Sequence, residues 1–176
     1  MRYLGIDVHS QTSVWCLLDQ AGEVLAEGKT RTNAADLEKL AKQLNVDGPL
    51  RAGQEVGTMA YLVHDAFTAA GVEILSFNAA QLRMIAASRK KTDRRDAYWI
   101  ARALATGMHP HPVYIPTGEI RELRMLLTRR RLVLMDRNRW QHRARSALRA
   151  SGLQVRPGGY HLSTGLAPVL KSATDT

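Results

Sequence analysis

The sequence has too few cysteines for a covalent or cysteine-rich zinc scaffold. Its 176 residues include one cysteine, Cys16, which cannot form a disulfide within the chain. No stretch approaches the roughly 18 apolar residues that a membrane span needs, and the N-terminus carries no apolar signal core. With 45% hydrophobic and 23% charged residues, the composition indicates a globular protein of the cytoplasm.

Acidic residues are scarce in the second half of the chain. Residues 1–80 carry 6 Lys and Arg against 10 Asp and Glu, whereas residues 119–150 carry 10 basic residues, all arginine, against 3 acidic ones. The net charge of +9 therefore arises behind residue 80. Because a guanidinium binds phosphate bidentately and stacks on bases, this charge favours nucleic acid over a membrane or an acidic protein as the partner. A solvated, arginine-rich helix face is the alternative.

The front of the chain has the pattern of a three-stranded antiparallel meander followed by alternating helices and strands. Apolar runs between polar turns predict strands at 3–8, 12–18, 23–29, 50–56 and 72–77. Helical spacing predicts helices at 33–44, 60–70, 79–88 and 93–105. This order predicts an α/β fold with a mixed sheet flanked by helices.

Three further segments are predicted after residue 107. Residues 108–118 contain three prolines and are expected to form an extended linker. Residues 119–151 predict one long helix, and residues 152–176, rich in Gly, Pro and Ser, a flexible tail. Apolar residues recur on the helix in two rows: Ile120, Leu127, Leu134 and Leu148, beside Leu126, Val133, Trp140 and Ala147. Such a stripe needs a partner, and since Arg130 and Arg137 interrupt it, we expect an imperfect coiled coil with another protomer.

Four acidic residues are candidates for chemistry. Asp7 interrupts an apolar strand, where a carboxylate is costly unless it is paired or binds metal, and Glu55 ends the fourth predicted strand, from which it could reach Asp7. Asp93 and Asp96 are three residues apart and share one helix face. Four such oxygen ligands can hold two Mg²⁺ or Mn²⁺ ions for phosphodiester cleavage. Asp93 as a helix N-cap, Asp96 as a first-turn acid and Glu55 as a surface residue are the alternatives.

Basic residues surround the two helical acids. We expect a set of them, with arginines of the long helix, to contact the nucleic-acid backbone: Arg89, Lys90, Lys91, Arg94, Arg95, Arg129, Arg130, Arg131 and Arg137. His9 follows Asp7 by two residues and could touch a metal or a phosphate. A turn position at the strand end is the favoured interpretation of His9.

Three motifs carry a resemblance to a known family. Residues 4–9 (LGIDVH), residues 54–57 (QEVG) and above all residues 91–97 (KTDRRDA) resemble the N-terminal domain of transposases of the insertion sequence 110 family. The resemblance implies an RNase H-like, RuvC-type domain at residues 1–107. It also implies a coiled coil that joins protomers into a homo-oligomer through residues 119–151, and recombination of DNA guided by a structured RNA. The metal-binding DEDD tetrad that it implies is Asp7, Glu55, Asp93 and Asp96.

The resemblance ends before the family's second domain, which resembles a helix-hairpin-helix module and carries a nucleophilic serine. We therefore expect a truncated chain, and no serine of the tail is assigned as the nucleophile. The first hypothesis is a DEDD-type transposase domain that acts on DNA phosphodiester bonds with two divalent ions in the bacterial or archaeal cytoplasm, at the nucleoid. The alternative is a catalytically incomplete module for nucleic-acid binding and dimerisation. A sugar-kinase or actin-like ATPase fragment is disfavoured, because no glycine-rich phosphate loop follows Asp7.

Overall fold

The structure, a computed structural model, describes residues 1–85 and 93–152. The chain divides into two compact units, Met1–Ile115 and Pro116–Thr176. Three of the predicted nucleic-acid contacts, Arg89, Lys90 and Lys91, lie outside the described residues, as does the predicted tail beyond residue 152.

The first unit is a five-stranded mixed sheet flanked by helices. Its strands are β1 (Arg2–Val8), β2 (Thr12–Leu18), β3 (Val24–Arg31), β4 (Leu50–Glu55) and β5 (Glu73–Phe77). Its helices are α1 (Ala34–Asn45), α2 (Ala60–Ala69), α3 (Ala79–Ile85) and α4 (Asp93–Thr106). The strand order is β3-β2-β1-β4-β5. Strand β2 is antiparallel to β1 and to β3, whereas β4 is parallel to β1 and to β5. The predicted α/β fold, with its antiparallel meander and a mixed sheet flanked by helices, is confirmed.

The two faces of the sheet are covered by different helices. Helices α1 and α2 pack over one face, where Leu4, Ile6, Leu37 and Phe67 belong to one buried cluster. Asn33 caps the start of helix α1: the backbone N–H of Asp36 donates to Oδ1 of Asn33 at 2.9 Å. Helix α4 packs over the other face, against the meander.

The α4 side of the sheet has its own buried cluster, formed by residues of β2 and α4: Val14, Cys16, Leu18, Ala97 and Ala101. Glycine in β1 and β4 lets the helix approach closely. A Cβ at Gly5 would lie 2.5 Å from the backbone nitrogen of Ala101, and one at Gly53 would lie 2.9 Å from Cδ1 of Leu104. The backbone of α4 therefore lies almost directly on β1, which sets the height of the helix above the sheet.

Residues between α4 and the end of the first unit follow the sheet edge. The backbone N–H of Val113 donates to the carbonyl oxygen of Ser76 at 2.7 Å, and the ring of His109 lies 5.1 Å from that of Phe77. These contacts hold the proline-rich segment against β5.

The described part of the second unit is dominated by one helix, α5 (Gly118–Ala150), of 33 residues. None of its residues is buried, although it carries many apolar side chains, such as Ile120 and Leu127, which are 53% and 55% exposed. No helix in the described ranges is long and apolar enough to cross a membrane.

Candidate functional site

Two carboxylates and an imidazole meet where β1 ends and α4 begins. Asp7 lies near the end of β1, His9 follows that strand, and Asp93 is the first residue of α4. Nε2 of His9 lies 3.2 Å from Oδ2 of Asp7 and 3.4 Å from Oδ2 of Asp93. One potential ligand atom from each of the three residues lies within 4.8 Å of the others. We call Asp7, His9 and Asp93 the acid–histidine cluster.

The register of the sheet explains why Asp7 faces α4. Asp7 is directly opposite Val14, and Val14 belongs to the cluster buried under α4. Since side chains alternate along a strand, Ile6 and Val8 point to the opposite face, where both pack against the α1–α2 core. The Asp7 side chain is only 15% exposed. The carboxylate is therefore held, largely shielded from water, on the face that α4 covers.

Glu55 and Asp96 belong to the same side of the molecule. The parallel ladder pairs Ile6 with Gln54, so its continuation brings Glu55 beside Asp7 at the same end of the two strands. Asp96 lies in the first turn of α4 with Asp93 and is half-buried. The strand register and the first turn of α4 therefore direct Glu55 and Asp96 toward the same end of the sheet. Of the four predicted acids, Asp7 and Asp93 are the two that belong with His9 to the group of ligand atoms within 4.8 Å of one another in the described ranges.

The predicted phosphate contact Arg94 is engaged by an acid of the edge strand. Its Nε donates to Oε2 of Glu27 at 2.5 Å, and its Nη2 pairs with the other carboxylate oxygen. This bidentate pair ties the start of α4 to β3. Burial raises the pKa of the neighbouring Cys16 thiol, and the positive charge of Arg94 partly opposes that shift.

The remaining described arginines of the predicted set are exposed. Arg95 lies in the first turn of α4, and four others lie along α5: Arg129, Arg130, Arg131 and Arg137. Of these, Arg137 donates to Oδ1 of the adjacent Asn138 at 3.0 Å. The helix therefore presents a dense row of exposed positive charge.

A cavity of about 460 Å³ opens beside Asp93. It is lined by residues of β2, β3 and the start of α4: Val14, Trp15, Glu27, Gly28, Lys29, Asp93 and Arg94. No local sequence pattern marks Glu27 or Lys29 as site residues, because the alternation of side chains along β3 does not show which helix they meet. His9 does lie in the turn predicted for it, and it contacts both carboxylates as well.

The donor set of the acid–histidine cluster fits a divalent cation. Two carboxylate oxygens suit Mg²⁺ or Mn²⁺, and an imidazole nitrogen is a better ligand for Mn²⁺ than for Mg²⁺. Glu55 at the end of β4 and Asp96 in the first turn of α4 are further carboxylates on neighbouring elements. The donor set of the acid–histidine cluster can therefore hold a divalent metal ion.

Comparison with known proteins gives a family assignment. Residues 4–152 match the IS110-type DEDD family described as Transposase. The transposase for insertion sequence element IS1533 of Leptospira borgpetersenii is 24% identical over 157 residues, which cover 88% of this chain and 45% of that protein. The chain thus spans less than half the length of this curated relative.

Solved structures of Thermus thermophilus RuvC are more distant. RuvC in complex with a Holliday junction substrate is 14% identical, with a TM-score of 0.49 over 64% of this chain and 99% of RuvC. A second RuvC structure is 13% identical, with a TM-score of 0.46 over 64% of this chain and 100% of RuvC. The family match, in contrast, extends over most of the sequence. The chain therefore belongs to the DEDD transposase family of IS110-type elements.

Proposed function

We propose that this chain carries the catalytic domain of a DNA transposase, which acts on DNA phosphodiester bonds with two divalent ions, Mg²⁺ or Mn²⁺. The ligands in this proposal are Asp7, Glu55, Asp93 and Asp96. The convergence of Asp7 and Asp93, from the first strand and the last helix of the first unit, is the observation that carries it.

The metal ions, Asp7 and His9 have separate tasks in this proposal. Bound divalent ions would activate a water or hydroxyl nucleophile and stabilise the leaving oxygen. Asp7 supplies a charge that is 15% exposed, so its electrostatic interactions are weakly screened. His9 can donate from Nε2 to one of the two carboxylates, which orients that carboxylate. Its half-exposed ring also lies within reach of a phosphate that approaches the cluster.

The test is metal-dependent nicking of supercoiled or branched DNA by the full chain. Asp7→Asn keeps the shape of the side chain and removes its charge, so we expect cleavage to fall at least about 100-fold, since metal stabilisation of a transition state is worth several kcal/mol. Asp47→Asn, an exposed acid that pairs with Arg2 at the other end of β1, is the matched control and should retain cleavage. Salt-sensitive DNA binding without any nicking would instead support the catalytically incomplete binding module.

We further propose that α5 joins protomers and contacts nucleic acid. Ile120, Leu127 and Val133 are all more than half exposed, an arrangement typical of a helix that buries its apolar stripe against a second copy. Leu127→Glu should shift the protein to smaller assemblies in light scattering. Thr128→Glu, which introduces the same charge outside the stripe, should leave the assembly size unchanged.

The finer assignments implied by the family are proposed as well. We infer a division into a RuvC-type domain at residues 1–107, a linker at 108–118 and the long helix at 119–151. We also infer a structured guide RNA as partner and a site of action on the bacterial or archaeal nucleoid. The net charge of +9 supports the nucleic-acid partners. Sequencing of RNA recovered with the purified protein tests the guide, because one defined RNA species should be enriched over total RNA.

A further inference from the structure

The edge strand β3 carries two cations on the face that α4 covers. Lys29 is directly opposite Val14, which is itself opposite Asp7, so these three residues form one row across β3, β2 and β1. Arg31 is opposite Thr12 and lies on the same face, two residues further along the strand. Both side chains are exposed. Within the described ranges neither Lys29 nor Arg31 forms a salt bridge.

The spacing of this row suits a nucleic-acid strand. Adjacent strands lie about 4.8 Å apart, which places the backbone of Lys29 about 10 Å from that of Asp7. This distance is about the axial rise of three nucleotides of one DNA strand. A strand whose scissile phosphate lies at the acid–histidine cluster can therefore place a neighbouring phosphate at Lys29.

The cavity beside Asp93 makes Lys29 accessible from the cluster. Lys29 and Asp93 both line it, together with the pair formed by Glu27 and Arg94. Since Glu27 neutralises Arg94, Lys29 is the cation lining this cavity whose charge is not compensated by a salt bridge among the described residues. An anion that enters the cavity meets Lys29 as its free counter-charge. No other β-strand pairs with the outer edge of β3 in the described part of the sheet. A nucleic-acid strand can therefore continue past Arg31.

We propose that Lys29, with Arg31 beside it, binds the phosphodiester backbone of a nucleic-acid strand. This nucleic-acid strand runs from the acid–histidine cluster across β2 to the edge of the sheet. The direction of that strand rests on the proposed function, whereas the affinity of Lys29 and Arg31 for phosphate does not. The ligand class is a single-stranded nucleic-acid segment, recognised through its phosphates and not its bases.

The experiment is fluorescence anisotropy with the full chain and a labelled single-stranded oligonucleotide, repeated over a range of salt concentrations. Each phosphate contact on a single strand contributes about 0.7 to the slope of log K against log salt. The double variant Lys29→Gln, Arg31→Gln should therefore lower the magnitude of the slope by about 1.4. Lys29→Arg keeps the positive charge and should therefore retain the contribution of Lys29 to the slope. Lys39→Gln, an exposed lysine of α1 on the opposite face of the sheet, should leave the slope unchanged.

Two results would overturn the proposal: an unchanged slope in the double variant with both DNA and RNA, or an equal fall in the Lys39→Gln control. Parallel titrations with DNA and RNA of the same sequence show which nucleic acid binds to Lys29 and Arg31. Thermal unfolding of each variant confirms that it is folded.

Failure of this proposal can be told apart from failure of the proposed function. Asp7→Asn should abolish nicking and leave the salt slope intact, whereas the double variant should lower the slope in the absence of any divalent ion. If the protein binds nucleic acid through Lys29 and Arg31 but does not nick DNA, the phosphate-binding proposal stands and the proposed catalytic function is refuted.

Discussion

Replacing Gly5 with alanine tests whether the contact between α4 and β1 sets the geometry of the acid–histidine cluster. A Cβ at Gly5 would lie 2.5 Å from the backbone nitrogen of Ala101 and closer still to the carbonyl oxygen of Ala97. Real Cβ contacts essentially never fall below 3.0 Å. Because both atoms belong to the helix backbone, no side chain can rotate away, and α4 must move from the sheet.

The size of the effect follows from these distances. Ordinary contact begins at 3.4 Å, so the helix must shift by on the order of 1 Å, a misplacement that can lower a catalytic rate about 100-fold. Overpacking against a backbone should lower the free energy of unfolding by about 3 kcal/mol, which is a fall in Tm of roughly 6–12 °C for a chain of this length. Asp93, at the start of α4, should move away from Asp7 with the helix.

The assay combines thermal unfolding with metal-dependent nicking, measured well below the Tm of the Gly5→Ala variant. Gly57→Ala is the matched control, because a Cβ there meets nothing within 4 Å; it should change the free energy of unfolding by less than about 1 kcal/mol in either direction. A Gly5→Ala protein with the Tm and nicking rate of the wild type would refute the argument that this contact fixes the height of α4.

Three further predictions concern single contacts. Glu27→Gln should release Arg94 and raise the magnitude of the salt-dependence slope of single-strand binding by about 0.7. The free energy of unfolding should change by less than about 1 kcal/mol, because the pair is largely exposed. Weaker binding in fluorescence anisotropy would contradict this prediction. Gln54→Leu should lower the free energy of unfolding by about 1–3 kcal/mol in urea titration, because buried Nε2 of Gln54 donates to the carbonyl oxygen of Ala60 and to Oγ of Ser76; an unchanged midpoint would be the contrary result. Burial raises the pKa of Cys16 above its ordinary 9.0, so the unfolded chain loses the thiol proton first and stability should fall above about pH 9; Cys16→Ala should remove that part of the pH dependence.

The sequence predicts the elements of the first unit closely because their signals are local. The strands of the meander are apolar runs bounded by polar turns. Asn33 caps the start of α1 through a hydrogen bond to Asp36, a residue only three positions away. Strand β3 is the partial exception, because it continues to Arg31, two residues beyond its predicted end at residue 29. As an edge strand its later residues are polar and exposed, so hydrophobic alternation does not show where it stops.

The site is less predictable, because it depends on contacts between distant residues. The chemistry of Asp7 could be inferred from the cost of a carboxylate in an apolar strand. The pair of Arg94 with Glu27 joins residues 67 positions apart and follows from the register of β3 with β2, which no local pattern specifies. The same register brings Lys29 into one row with Asp7. The contact of His9 with two acids likewise requires knowing where α4 begins in space.

The helix that brings two of the acids to the site is also the cover of the meander core. Val14, Cys16 and Leu18 are buried in one cluster with Ala97 and Ala101 of α4, and α4 comes after all five strands in the order of synthesis. On the ribosome, this apolar patch faces the solvent until translation has passed residue 106. Nascent or nonsense-terminated products that end before Asp93 should therefore aggregate. Deletion mapping of this gene would then report insolubility in place of lost DNA cleavage, and point substitutions are the sounder route to the site.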